Sequence, residues 1–98
     1  MTDSEKKAID QAGLREMCGA LSRADNPDLI YDFLECLLTP AERTHIAERW
    51  LLVREIARGQ TQREISRMFG MSLCKITRGS REFKKEGSAF KTMFSLVG

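Results

Sequence analysis

The segment that follows Asn26 places the strongest constraint on how this chain of 98 residues can fold. Asn26 can cap a helix that has Pro27 in its first turn. The residues after it are mostly apolar: Leu29, Ile30, Tyr31, Phe33, Leu34, Cys36, Leu37 and Leu38. They cover nearly every side of a helix, so the helix needs to be buried on every face. A domain of this size has only a modest core, and we therefore expect a second copy of the chain to cover it.

Capping signals and glycines divide the rest of the chain into helices. A loose apolar stripe predicts a first helix over residues 4–23. Thr39-Pro40-Ala41-Glu42 is a capping box that opens a helix over residues 40–58, and Ser88 can cap a short last helix. Strong helix formers outnumber β-branched residues in the chain. We predict an all-α single domain over residues 1–98, with about six helices.

Residues 61–85 have the pattern of two short helices joined by a turn. Thr61-Gln62-Arg63-Glu64 is a second capping box, and Gly70 can adopt the positive φ that a tight turn requires. Small Ser66 lets the two helices cross closely, and Ser72 can cap the second of them. The inward-facing side chains are expected to be Ile65, Met68, Phe69, Leu73 and Ile76. This pattern is typical of a helix-turn-helix, and a plain helical hairpin is the structural alternative.

The charge of the chain is concentrated in the same region. Residues 61–85 hold seven basic and two acidic side chains, a net charge of +5, whereas residues 1–60 hold eight basic and eleven acidic ones, a net charge of −3. Such a basic segment is either a solvated face or a surface for nucleic-acid phosphates. A helix-turn-helix inserts the first turns of its second helix into the DNA major groove. The residues expected to contact DNA are Gln62, Arg63, Arg67, Met71, Ser72, Leu73, Cys74, Lys75, Thr77, Ser80 and Lys84.

The sequence lacks the signals of a membrane or secreted protein. Its longest apolar run, Trp50 to Val53, is far shorter than the roughly 20 residues that cross a bilayer. The N-terminal residues MTDSEKKAIDQ lack the apolar stretch of a signal peptide, so we expect a cytoplasmic protein that does not bind membranes. Cys18, Cys36 and Cys74 lack the paired spacing of a zinc or redox site. We expect reduced thiols that act as small apolar residues, and no metal site.

Gly79 lies inside the second helix of the predicted pair, where glycine costs about 1 kcal/mol relative to alanine. It follows the turns that would contact bases, so base contact does not account for it. The absent side chain opens a hollow beside Arg78, whose flat guanidinium group stacks on aromatic rings and pairs with carboxylates. A small, flat, anionic ligand would fit this hollow. The alternative is that Gly79 only allows a neighbouring helix to pack closely.

Several stretches of the chain resemble the tryptophan repressor family. They are LLTPAER at residues 37–43, Arg49, TQREI at residues 61–65 and ITRGS at residues 76–80. The resemblance runs in order from about residue 27 to residue 85. It implies an intertwined homodimer that represses transcription by binding double-stranded operator DNA, with L-tryptophan as corepressor and no other cofactor.

The resemblance also implies where tryptophan would bind. The indole would lie between the guanidinium groups of Arg49 and Arg78, beside Gly79, and Arg78 and Thr39 would bind the ligand carboxylate. Because Arg49 belongs to the third helix, the ligand would connect that helix to the DNA-reading helix and fix its angle. A ligand shifts such an equilibrium only by binding one state better than the other. Repression would then rise as tryptophan accumulates.

The chain departs from the family pattern at two positions of this site. The backbone around Cys36 and Leu38, contributed by the partner subunit, would receive the ligand's ammonium group, and Cys36 replaces a leucine. Glu82 stands where the family usually has a small residue; it could pair with the ammonium group or be solvated. A related amino acid, an indole derivative or no ligand at all is therefore the alternative to L-tryptophan.

Functions of other classes use different residues. An enzyme would have to rely on His45 and Cys74, which fall on separate helices without an evident partner, and we predict no catalytic site. A helix-turn-helix module without an effector would use Arg49 and Arg78 as ordinary phosphate or surface arginines. A helical interaction protein would direct its basic end at acidic partners and would not bind duplex DNA.

Overall fold

The computed structural model describes residues 1–97, which form six α-helices and no strand. In chain order the helices are α1 (Asp3–Arg23), α2 (Pro27–Leu37), α3 (Pro40–Ala57), α4 (Gln62–Phe69), α5 (Leu73–Lys84) and α6 (Ala89–Ser95). The predicted all-α class with about six helices is confirmed. Across residues 1–97, every helix is too short or too polar to cross a membrane. The helices group into two compact units, residues 1–39 and residues 40–97.

The first unit contains α1 and α2, and both helices begin at capping residues. Thr2 and Glu5 form a reciprocal capping box at the start of α1. The Asn26 side chain accepts a hydrogen bond from the backbone N–H of Asp28 at 2.9 Å, and Pro27 is the first residue of α2. The predicted start of α2 is therefore confirmed.

The apolar surface of α2 is largely uncovered in the single chain. No residue of α1 or α2 is buried. On α2, Leu29 is 57% exposed, Tyr31 is 64% exposed and Leu37 is 48% exposed. One copy of the chain therefore does not bury the apolar side chains of α2, contrary to what the sequence of this helix favours.

The second unit is built around α5, which packs against α3, α4 and α6. Its buried apolar core consists of Leu52, Val53, Ile65, Met71 and Ile76. Ile65 and Ile76 were predicted to face inward, and Phe69 is half-buried against this core. Met68 and Leu73, also predicted inward, are 55% and 53% exposed. These two side chains therefore lie outside the packed faces of α4 and α5.

Hydrogen bonds fix the start of α4 and the turn that connects it to α5. The Thr61 side chain accepts from the backbone N–H of Glu64 at 3.1 Å, and Gly70 ends α4 with a φ of +64°. The Ser66 hydroxyl then donates to the carbonyl oxygen of Met71 at 2.8 Å, and Ser72 caps α5. The predicted caps and the positive φ of Gly70 are confirmed. Two short helices therefore meet at a defined turn.

Two smaller expectations are wrong. Ser88 does precede α6, but its side chain makes no capping hydrogen bond and is itself buried. All three cysteines are free and exposed, so they do not serve as small apolar packing residues in this chain.

Gly70 provides a test of the turn. Gly70→Ala should lower the free energy of unfolding by about 1–2 kcal/mol, because an alanine at positive φ brings its Cβ too close to the carbonyl oxygen. Gly70→Asn should cost clearly less, since asparagine tolerates this conformation. Urea unfolding of the two variants measures the difference. Equal losses for both would show that the backbone conformation at Gly70 does not limit stability.

Candidate functional site

Helices α3 and α5 line a cavity of about 440 Å³ within the second unit. The lining residues of α3 repeat at helical spacing: His45, Glu48, Arg49, Leu52 and Val53. Those of α5 do the same: Lys75, Arg78, Gly79 and Glu82. Residues three and four apart lie on one face of a helix, so each helix presents a single stripe to the cavity. Met71 and Phe90 complete the lining.

The lining combines an apolar floor with charged side chains. Leu52, Val53 and Met71 belong to the buried core, whereas Arg49 and Arg78 are exposed. A concave site of several hundred cubic ångströms with an apolar surface and a few charged groups is typical of a small-molecule site. The arrangement can hold a flat apolar group against the buried apolar residues and bind its charged substituents at the exposed arginines.

Phe90 is held in the cavity wall by other aromatic rings. Its ring centroid lies 5.9 Å from that of Phe94, and the Phe94 centroid lies 4.6 Å from that of Trp50 on α3. Aromatic pairs at such separations add stability beyond the area they bury. These contacts anchor α6 to α3.

Gly79 of α5 packs directly against α3. A Cβ atom at this position would collide with Cδ1 of Leu52 and would lie only 3.2 Å from Cγ2 of Val53. The expected open hollow at Gly79 is therefore filled by these two side chains, and the packing alternative holds. Gly79 still lines the cavity, because the cavity begins beside this contact.

Glu82 carries a negative charge at the cavity. Lys85 donates a hydrogen bond from Nζ to Oε1 of Glu82 at 2.9 Å. This hydrogen bond and the charge of Lys85 lower the pKa of the Glu82 carboxyl below its ordinary value, and Arg78 lowers the pKa further to a smaller extent. Glu82 is therefore ionised at neutral pH.

The structure brings part of the predicted ligand site together. Four of the seven residues line the cavity: Arg49, Arg78, Gly79 and Glu82. The other three belong to the first unit: Cys36, Leu38 and Thr39. Cys36 and Thr39 are exposed there, and Leu38 ends α2, with its N–H donating to the carbonyl oxygen of Leu34 at 2.9 Å.

His45 and Glu48 line the cavity but were not predicted as site residues. The signal that could have found them is their spacing of four and one residues before Arg49, which puts all three on one side of α3. Phe90 could not have been found this way, because its place in the lining depends on how α6 packs.

Most of the predicted DNA-contacting residues are accessible. Eight are exposed: Gln62, Arg63, Arg67, Ser72, Leu73, Cys74, Lys75 and Lys84. Thr77 is half-buried, and its hydroxyl donates to Oε1 of Gln62 at 3.1 Å, which links α5 to α4. Met71 and Ser80 are each 6% exposed, so their side chains are not part of the surface. Ser80 follows buried Ile76 by one helical turn and thus shares its inward face.

The structure does not assemble the two candidate catalytic residues into one site. His45 lines the cavity, whereas Cys74 is an exposed residue of α5 outside the lining. Within residues 1–97, no group of three or more His, Cys, Asp or Glu side chains is placed to hold a metal ion.

The similarity to known proteins covers the whole second unit and most of the first. A family model described as "Trp repressor protein" matches residues 12–97. The chain belongs to the Trp repressor family. Members of this family regulate transcription and are not enzymes, so the coarse function of the chain is that of a repressor-like regulator.

Individual relatives carry the same family name. Proteins named "Trp operon repressor homolog" from Chlamydia caviae and Chlamydia trachomatis serovar L2 are 39% and 30% identical to this chain. The matches cover 78% and 87% of this chain, and 73% and 92% of those proteins. A protein of the same name from Vibrio vulnificus is 46% identical over 52% of this chain and 51% of its own length.

Gly79→Ala should lower the free energy of unfolding by about 1 kcal/mol. Overpacking against Leu52 and Val53 costs about 1–3 kcal/mol, and the higher helix propensity of alanine returns about 1 kcal/mol. Denaturant unfolding measures the net effect.

Two further variants isolate the steric cause. Gly19→Ala, in α1 where nothing lies within 4 Å of an added Cβ, should stabilise the protein through helix propensity alone. In a Leu52→Val background, which lacks the Cδ1 atom, Gly79→Ala should cost less than in the wild type. The same cost in both backgrounds would contradict the contact described here.

Proposed function

We propose that the protein is a tryptophan-dependent transcriptional repressor of the cytoplasm, which binds operator DNA as a homodimer with L-tryptophan as corepressor. The observation that carries the proposal is the cavity between α3 and α5, since its lining includes both Arg49 and Arg78. Membership of the Trp repressor family supports it independently.

In this proposal the indole of L-tryptophan lies in the cavity between the guanidinium groups of Arg49 and Arg78. A planar cation stacks well on an aromatic ring, and the apolar floor formed by Leu52 and Val53 would exclude water from beneath it. Arg78 binds the ligand carboxylate, because a guanidinium group offers paired donors to a carboxylate. Glu82 lies on the same cavity and contributes an acceptor.

The first unit completes the proposed ligand site in the dimer. Thr39 shares the ligand carboxylate with Arg78. The ammonium group is received by backbone carbonyls around Cys36 and Leu38 of the partner subunit. In this proposal the backbone around Cys36 and Leu38 comes from the partner subunit, so the complete site exists only in the dimer.

The proposed DNA surface lies on the same helix as half of the cavity. The exposed first turn of α5, with Ser72, Leu73 and Cys74, enters the major groove. Exposed Arg63, Arg67 and Lys84 bind phosphates on either side. Residues 78, 79 and 82 of the same helix face the cavity, so a ligand held there determines the orientation of the base-contacting turns.

Free-energy linkage explains why tryptophan would strengthen DNA binding. A mobile reading helix must be ordered when it binds DNA, and this ordering weakens association. A ligand that binds better to the ordered arrangement orders the helix in advance, so DNA binding no longer includes the free-energy cost of ordering. The effect is limited to the difference in tryptophan affinity between the two arrangements.

The uncovered apolar surface supports the proposed dimer. Leu29 and Tyr31 on α2 are more than half exposed, as are Leu96 and Val97 near the end of the chain. Neighbouring exposed apolar side chains, as on α2, are a common feature of protein interfaces. Two reading helices related by twofold symmetry would then contact half-sites about one DNA turn apart.

Removal of the Arg78 guanidinium tests the corepressor role. With a duplex selected from a random pool in the presence of L-tryptophan, the wild-type protein should bind at least about tenfold more tightly with the amino acid than without it. Arg78→Ala should bind equally with and without tryptophan. A fluorescence anisotropy titration on labelled duplex gives both constants.

The control is Arg81→Ala, which removes an equally exposed cation from α5 outside the cavity lining. It should weaken DNA binding at most modestly and keep the ratio between the two conditions. Wild-type affinity that is the same in both conditions would leave only a helix-turn-helix protein without this effector.

The assignment of base and phosphate contacts makes a second prediction. Leu73→Ala should change the ranking of operator sequences, because an exposed apolar side chain in the major groove contacts the methyl groups of thymine. Arg63→Ala should weaken all sequences similarly and reduce the slope of log affinity against log salt by about 1. Competition binding with a panel of duplexes distinguishes the two patterns, and identical patterns would refute the assignment.

A further inference from the structure

We infer that Glu82 makes the cavity selective for a zwitterionic amino acid over an indole carboxylate that lacks the ammonium group. The inference rests on the proposed function, because it concerns the ligand of the same cavity. In this inference Glu82 favours the aromatic amino acid over the aromatic carboxylate.

The first observation is the placement of Glu82 relative to Arg78. Both residues line the cavity from α5, and they are four residues apart. Side chains at this spacing are neighbours on one helix face. A cation and an anion therefore stand side by side at the same cavity. The carboxylate and ammonium groups of an amino acid also stand side by side, since both are attached to one carbon atom.

The second observation is that Glu82 has both charge and acceptor capacity available. Lys85 contacts Oε1 at 2.9 Å, and the Glu82 side chain is 46% exposed. An ionised carboxylate offers about four acceptor positions on two oxygens, so one ammonium partner does not saturate it. The cations Lys85 and Arg78 keep Glu82 ionised below neutral pH. A ligand ammonium can thus add a second charge-assisted hydrogen bond.

The third observation concerns the remaining charges of the lining. Arg49, Lys75 and Arg78 are basic, so the cavity would attract any indole carboxylate if these three acted alone. Glu48 and Glu82 oppose this attraction, one from each helix. The two carboxylates reduce the net charge of these five side chains from +3 to +1, so a ligand with only a carboxylate is attracted less strongly. A zwitterion, in contrast, gains a partner for its positive end.

Partial exposure sets the size of the expected effect. Charge pairs at accessible sites contribute at most modestly, which corresponds to a change of about fivefold in a dissociation constant. Glu82→Gln keeps the size of the side chain and removes the charge. It should weaken L-tryptophan binding about fivefold and leave the binding of 3-(indol-3-yl)propionate unchanged or tighter.

Calorimetric titration of the purified protein with L-tryptophan and with 3-(indol-3-yl)propionate tests the inference. The propionate probe keeps the indole and the carboxylate of tryptophan and lacks only the ammonium group. The matched control is Glu86→Gln, which removes an exposed carboxylate of the same region that does not line the cavity. This control should bind both ligands as the wild type does.

The outcomes separate the inference from the proposed function. A Glu82→Gln variant that binds L-tryptophan as tightly as the wild type, or that loses affinity equally for both ligands, overturns the role of Glu82 and leaves the corepressor proposal intact. Wild-type protein that binds neither ligand overturns both. Loss of affinity for L-tryptophan alone supports the inference.

Discussion

The contact between α5 and α3 at Gly79 determines the geometry of the second unit. Because Gly79 has no side chain, Leu52 and Val53 of α3 occupy the space that a Cβ atom would fill. The two helices are thus in direct contact at Gly79, and residues of both helices line the cavity beside this contact. A larger residue at this position would force Leu52 to shift, and Leu52 also lines the cavity.

The close contact also places two kinds of surface on one helix. One side of α5 carries Arg78 and Glu82 at the cavity, while its first turn presents exposed Ser72, Leu73 and Cys74. The turn before α5 is fixed by the Ser66 hydroxyl and by the left-handed Gly70. If α5 changes its orientation against α3, α4 should therefore move with it. In the proposed function, tryptophan acts on this pair of helices as a unit.

Local sequence signals predicted the helix boundaries well, because capping is decided by residues within one turn of a helix end. Asn26, Thr61 and Ser72 all accept hydrogen bonds from the first turns of their helices. Burial was predicted less well. Met68 and Leu73 continue an apolar pattern but are exposed, because no neighbouring element covers their sides of two short helices.

The candidate site was predictable only in part. Residue type pointed to a ligand hollow at Arg78 and Gly79, and the family resemblance added Arg49. The structure places all three in the lining of one cavity. The neighbours that fill the space at Gly79 depend on how α3 packs, which local spacing does not specify. For the same reason Met71 and Ser80, which fall within the predicted DNA-contacting segment, turned out to be buried.

The central claim is that occupancy of the cavity fixes α4 and α5 relative to α3. Amide hydrogen exchange of the DNA-free protein, with and without saturating L-tryptophan, tests it most directly. We expect slower exchange throughout residues 62–84 when the amino acid is bound, and little change at the N-terminal end of α1. Exchange in residues 62–84 that is identical in the two conditions, although binding is established by calorimetry, would contradict it.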